Sequence, residues 1–541
     1  MDFAECYDDT VSCLAKATRG GCRRILRKLI REGHSVDCHD NRGWTALHEA
    51  AAASTVGCLK EILSAAALTA GPSFQDFINS ATHEGESACY LAAKRGCPAM
   101  VRILLRAGAN INQSTNDLSS PLYAAVSGNH QDVARLLVDK GAEVNGTHSS
   151  FCWTCLHQAV FKGHDGVVRM LARVAHLEAR DDNGLTPLFL AAQHERTSCL
   201  KVLVEAGANV NAQAADMATP LLIACQEGHA ACVNVLLEHG ADPNMTCSKD
   251  WPQLPIHAAA EFGHCNIVRR LVPVTDRRCD RGEGMVSPVY SAVQGKHLEV
   301  LKLLLNEGFS PDGQDCDDLL GYRSPFAAAV HEAHLTDHNP PSTFPTQLIG
   351  VLLEAGARLK EDDWTDIIRF DKPPLLEEVL SVMWITPPER KDSAAAWRAG
   401  KRVMTRQELR DMLRAALGDV LYANYWLPRV LQAGLEPTLL LQPNLLGAAP
   451  SDAVNYLLHF VNWSTLSCAG KVILGRRRAE ETWQADPHFD SVPSLAHLCR
   501  LEVRQELGAD VVMRTDCVQQ LPVPSRLQDF FRFRDIPKPS D

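Results

Sequence analysis

Thr45-Ala46-Leu47-His48 is a stretch that returns along the chain. Thr154-Cys155-Leu156-His157, Thr186-Pro187-Leu188-Phe189, Thr219-Pro220-Leu221-Leu222 and Leu254-Pro255-Ile256-His257 repeat it closely. Ser87-Ala88-Cys89-Tyr90, Ser120-Pro121-Leu122-Tyr123, Ser287-Pro288-Val289-Tyr290 and Ser324-Pro325-Phe326-Ala327 repeat it more loosely. The third position falls at 47, 89, 122, 156, 188, 221, 256, 289 and 326, with most intervals close to 33. A fixed period in this range marks a stack of small structural units, each burying its apolar face against the next.

Working outward from the tetrapeptide, each position has a physical reason. Thr or Ser offers an N-cap oxygen to an orphan backbone N–H, and the following Pro has its φ preset for a first helical turn. Ala pairs such as Ala50-Ala51, Ala92-Ala93 and Ala191-Ala192 let neighbouring units approach closely. A second helix follows, with the pairs Leu104-Leu105, Leu136-Leu137, Leu236-Leu237, Leu304-Leu305 and Leu352-Leu353. Each pair precedes a glycine suited to a left-handed helix end, at Gly108, Gly141, Gly240, Gly308 and Gly356. Tails such as Ala109-Asn110-Ile111-Asn112 then begin a projecting turn.

This period and tetrapeptide resemble the ankyrin repeat. The resemblance implies an all-α solenoid of about ten helix-turn-helix repeats with projecting β-turns over residues 9–360. Residues 9–40 read as a degenerate first repeat, with Leu26, Leu29 and Gly33 in place but no tetrapeptide. Insertions are expected around 68–77 and over 334–346, the second carrying Pro340, Pro341 and Pro345. Residues 361–490 are expected to continue as degenerate helical repeats. Trp426 to Gly434 there looks like one more second helix, and 387–410 reads as an inserted loop or exposed helix.

Composition narrows the function. The 541 residues are 46% hydrophobic and 22% charged, which excludes disordered and collagen-like chains. The net charge of −11 and pI near 6.0 argue against nucleic acid as partner. The short basic runs Arg23-Arg24, Lys401-Arg402 and Arg476-Arg477-Arg478 are expected on solvated helix faces. Nineteen scattered cysteines form no disulfide framework, residues 1–5 lack a secretory pattern, and no apolar run would span a membrane. These features suit a soluble protein of a reducing compartment with buried thiols, in the cytoplasm, the nucleus remaining open.

The last fifty residues change character. In Ser494 to Val503, Leu495, Cys499 and Val503 fall four apart, on one face of a helix. After a polar connection come Val518 and then Leu521-Pro522-Val523-Pro524, Leu527 and Phe530. Both halves resemble a SOCS box, a three-helix module at 491–541, so the whole chain resembles the ankyrin-repeat-and-SOCS-box family. Met1-Asp2-Phe3, Asp40-Asn41-Arg42-Gly43-Trp44 and Gln253 to Ala260 are similar to one particular member. The resemblance implies that Leu495, Cys499 and Val503 bind elongin C of the elongin B/C pair. It implies that Val518, Leu521, Pro522, Val523, Pro524, Leu527 and Phe530 bind a cullin, number five, with its RING subunit. The ankyrin array would hold a protein substrate, and the chain would be a non-catalytic adaptor without cofactors. The competing expectation is an ankyrin scaffold with no ligase role.

Other signals have plainer readings. His331-Glu332-Ala333-His334, with His338 nearby, has histidines three apart where a zincin needs four, so no metal site is expected. Cys152-Trp153-Thr154-Cys155 has redox spacing but lies on repeat positions. His48, His157 and His257 are expected to hydrogen-bond between repeats. Trp44, Trp153 and Trp251 stand near turn tips, where they either pack between turns or meet a substrate.

Overall fold

In a computed structural model of the chain, every tetrapeptide within the described residues opens a short helix. These residues are 12–69, 73–148, 151–247, 253–280, 287–312, 324–335, 344–369, 373–385, 402–461, 466–486, 500–503 and 532. The cap oxygen does what its chemistry allows. Ser120 Oγ accepts from the Tyr123 N–H, Thr186 Oγ1 from Phe189 and Thr219 Oγ1 from Leu222, with the caps in extended backbone. The Pro or Ala that follows begins the helix, as in Pro187–Gln193 and Pro220–Gln226.

A second helix returns antiparallel in each repeat; most end alike, while Asp165–Leu171 and Cys265–Leu271 have no glycine at their ends. In Pro98–Arg106, Gln131–Asp139, Thr197–Glu205, Ala230–Glu238 and Leu298–Asn306, the leucine four residues before the glycine is fully buried. Its carbonyl accepts the N–H of the residue after the glycine. The pairs are Ala109 to Leu104, Ala142 to Leu137, Ala208 to Leu203, Ala241 to Leu236 and Phe309 to Leu304, all at 3.0 Å. Gly108, Gly141, Gly207, Gly240 and Gly308 have φ between +84° and +98°, the left-handed conformation such a cap requires. Among the described residues ten helix pairs run from Cys13–Arg19 to Phe344–Glu354, in agreement with the expected number. The first pair, Cys13–Arg19 and Arg23–Arg31, buries Leu26 and leaves Leu29 half-exposed.

The expected insertion at 68–77 is a second helix prolonged to Val56–Thr69 followed by the short Phe74–Ile78. The later one separates Pro325–Leu335 from Phe344–Glu354; residues 336–343 lie outside the described residues.

Helix pairing continues past 360. Glu361–Arg369 packs against Arg406–Gly418, and Pro373–Val382 against Ala423–Gln432. Gly434 is left-handed at φ +96° and the Leu435 N–H meets the Val430 carbonyl at 3.1 Å, the helix ending of the earlier repeats. Residues 386–401 lie outside the described residues; in 402–410, Arg402 and Val403 are half-buried, Met404 and Glu408 are buried, and 405–407 with Arg410 are exposed. Arg402-Val403 pairs in parallel with Met383-Trp384, the one named sheet among the described residues, and a helix starts at Arg406.

In two of the basic runs one arginine turns inward, while Arg476 and Arg478 are exposed as expected. Arg402 binds Glu408 and the Ala357 carbonyl. Arg477 is buried and donates to the carbonyls of Leu446, Ala449 and Thr482 at 2.8–2.9 Å. Carbonyls left over at chain ends and turns need donors, and arginine supplies several from one side chain.

The chain divides into two compact units, residues 1–259 with 266–275, and 260–265 with 276–541. Among the described residues no helix is long and apolar enough to cross a membrane.

Candidate functional site

The projecting turns, or fingers, share one frame. In 40–44, 82–86, 115–119, 181–185 and 214–218 the first residue's N–H meets the fifth residue's carbonyl at 2.9–3.1 Å. The fourth residue is left-handed throughout: Gly43, Gly85, Leu118, Gly184 and Met217. Neighbouring fingers are laced by backbone bonds, His83 N–H to Arg42 O, Asn116 N–H to Glu84 O and Ala215 N–H to Asn183 O. The approach is close: a Cβ on Gly85 would lie 2.7 Å from the Asn116 nitrogen. Two fingers are longer, closing between His148 and Trp153 and between Cys247 and Gln253, and each follows a finger whose left-handed residue carries a side chain.

Below the fingers a ladder with a period of 33 residues ties repeats together. Asn79 Oδ1 accepts the Asn110 N–H, Asn112 that of Glu143, Asn145 that of His176 and Asn211 that of Asp242, at 2.7–2.9 Å. Glu178 Oε1 takes the same part for Asn209 at 2.7 Å.

The tetrapeptide histidines are structural, as expected. His48 Nδ1 accepts the Thr45 N–H, so the ring's other nitrogen carries the proton and donates to the Ser80 carbonyl of the next repeat at 3.1 Å. His157 repeats this with Thr154 and the Leu185 carbonyl, and His257 accepts the Leu254 N–H. Burial pushes the His48 imidazole down from 6.5 to about 4.

Trp44 and Trp153 are both half-buried and engaged. Arg42 covers the Trp44 ring at 4.5 Å while binding Asp40 and Glu49, and Glu49 also holds Arg19. Trp153 donates its indole N–H to Asp181 of the next finger at 3.2 Å and meets Phe161 edge-on at 5.2 Å. Phe161 in turn reaches His194 at 5.1 Å, giving an aromatic run across two repeats. Trp153 thus joins two fingers, while the partners of Trp44 are Arg42 of its own turn and His48 of the helix that follows. Trp251 lies outside the described residues.

Sequence reading passed over Leu118, Phe151 and Met217. At Leu118 and Met217 the signal was a side chain where Gly43, Gly85 and Gly184 stand in other fingers. Leu118 is 54% and Phe151 63% exposed.

The Cys155 thiol is buried in a helix and pushed up to about 12 by desolvation, while Cys152 sits in a turn beside Asp182. Glu332 pairs with Lys296 at 2.6 Å. No group of three or more candidate metal ligands occurs among the described residues; His338 is outside them.

Of the C-terminal positions, Val503 lies half-buried in the helical stretch 500–503, next to buried Arg500. Leu495, Cys499, Val518, Leu521, Pro522, Val523, Pro524, Leu527 and Phe530 lie outside the described residues.

Comparison with known proteins places this geometry. A model described as ankyrin repeats in three copies matches residues 14–115, 64–148, 89–181, 156–247 and 221–315. A SOCS box model matches residues 491–530. Ankyrin repeat and SOCS box protein 3 of Homo sapiens is 39% identical over 537 residues, 99% of this chain and 97% of that protein. Its counterpart in Bos taurus is 38% identical over 537 residues, 99% of this chain and 96% of that protein. Among solved structures, the ankyrin repeat domain of Bcl-3 covers 42% of this chain and 98% of its own, at 22% identity and a TM-score of 0.37. With repeats in front, a SOCS box behind and identity along nearly the whole length, the chain belongs to the family of ankyrin repeat and SOCS box proteins.

Proposed function

We propose that this chain is the substrate-recognition subunit of an elongin B/C–cullin five–RING ubiquitin ligase, acting in the cytoplasm. The observation that carries the reading is the SOCS box at 491–530 behind an ankyrin array, in a chain similar end to end to an ankyrin repeat and SOCS box protein. Residues 1–360 hold the target, 361–490 extend the stack, and 491–541 dock the ligase core. Leu495, Cys499 and Val503 enter elongin C; Val518, Leu521, Pro522, Val523, Pro524, Leu527 and Phe530 meet the cullin. Trp44, Trp153 and Trp251 contribute to the substrate face. The chain supplies proximity instead of chemistry, holding the target beside a charged conjugating enzyme supplied by the RING partner, and such positioning is worth several kcal/mol of barrier.

Two double variants of the full-length chain test this. Leu495→Asp with Cys499→Asp buries unpaired carboxylates in an apolar contact, so elongin C capture is abolished. Leu521→Ala with Pro522→Ala keeps elongin capture and loses cullin capture and target ubiquitination. Normal elongin C binding by the first variant would leave the chain as an ankyrin scaffold.

A further inference from the structure

The left-handed fourth position of a finger costs a glycine nothing, and Gly43, Gly85 and Gly184 occupy it at φ +72° to +81°. Leu118 at φ +64° and Met217 at φ +66° hold it with a full side chain, and Cys152 sits at φ +56° in the longer finger between them. Each such residue costs roughly 1–2 kcal/mol in backbone energy. Burial does not offset this at Leu118, which is 54% exposed; Met217 and Cys152 are half-buried, and beside Cys152 stands Phe151, 63% exposed. Strain kept in order to show an apolar group to solvent is a mark of a binding surface.

Charge runs alongside these apolar steps. Glu84, Asp117, Asp182 and Asp216 are all exposed, one on each of four fingers. No Lys or Arg stands in 82–86, 115–119, 148–153, 181–185 or 214–218. Arg180, next to one of them, donates to the carbonyls of Gly184 and Gln213.

We infer that the row of fingers from 82 to 218 docks a basic segment of the substrate protein. Its Lys or Arg side chains meet the four carboxylates, and its long aliphatic or aromatic residues cover Leu118, Phe151 and Met217. This rests on the array being the substrate-holding half of a ligase receptor, and it adds the chemistry of what is held.

The test uses the full-length chain and two labelled peptides, one alternating Lys and Leu around a central Trp, the other with Glu for Lys. Anisotropy should show binding of the basic peptide only, weakening as salt screens the carboxylates. Leu118→Gly and Met217→Gly restore the residue other fingers use, so both fold with equal or higher thermal stability. Their affinity for the basic peptide should nevertheless fall about tenfold, the size of one lost anchor contact. Asp117→Lys with Asp182→Lys should transfer the preference to the acidic peptide. Equal affinity for both peptides, or glycine variants that bind as tightly as the parent, would overturn the inference. Elongin B/C capture is read on the same preparations. Its absence overturns the receptor reading alone, and its presence without peptide discrimination overturns only the finger chemistry.

Discussion

Leu137 and Leu236 occupy one structural place, four residues before the glycine, although the sequence pairs them differently. In Leu136-Leu137 the buried member is the second, and in Leu236-Leu237 it is the first. Leu137→Ala and Leu236→Ala should each cost about 2–5 kcal/mol through an unfilled cavity. Leu136→Ala, on the half-exposed side, should cost under about 1.5 kcal/mol; denaturant midpoints check the contrast, and equal losses at 136 and 137 would refute this register. His48 and His157 carry a pH dependence with a definite sign. Both imidazoles are held below 6.5 by burial, His48 at about 4, so the unfolded chain takes up protons that the folded chain refuses. Their contribution to stability is therefore whole above pH 6.5 and lost as pH falls toward 4. His48→Gln should lower the melting temperature at pH 7 and flatten its fall between pH 6.5 and 4; an unaltered slope would contradict the assignment.

At the scale of the element, a repeat is closed by devices of different legibility. The glycine helix ends and Ser/Thr caps were readable because each rests on one local backbone requirement. The asparagines were visible only as a tail. In Asn110-Ile111-Asn112, Asn110 Oδ1 takes the Asn112 N–H inside its own turn while Asn112 Oδ1 reaches Glu143 in the next repeat. Which one does which depends on the neighbour's position. Asn112→Ala should cost about 0.5–1.5 kcal/mol, and hydrogen exchange at the Glu143 amide should quicken while the Asn110 amide stays protected. Unchanged exchange at Glu143 would show that the ladder bond contributes nothing.

At the scale of the molecule, the part that the repeat pattern reads least well depends on a buried ionic cluster. Glu408 accepts the Thr405 N–H at 2.8 Å and the Leu359 N–H at 3.3 Å, and Arg402 joins it to the Ala357 carbonyl. This fastens Arg406–Gly418 to the end of Phe344–Glu354 and 357–360 beyond it. Arg402→Ala strands a buried carboxylate, a loss of about 3–5 kcal/mol. Limited proteolysis should then open 361–418 before the repeats of residues 12–247, and a cleavage order unchanged from the parent chain would count against the cluster.

The sequence by itself determined the repeat, its number, its caps and the family, because each needs only a short-range requirement repeated at a period of about 33 residues. It also held the C-terminal motif, whose residues stand in fixed order along one stretch. Only the tertiary structure decided which leucine of a pair is buried, that Arg402 and Arg477 point inward, and that Leu118 and Met217 take glycine's place in a finger. These depend on what lies across from a residue: a carbonyl left without a donor, or a neighbouring turn that leaves room for a side chain. Periodicity along the chain carries no record of that.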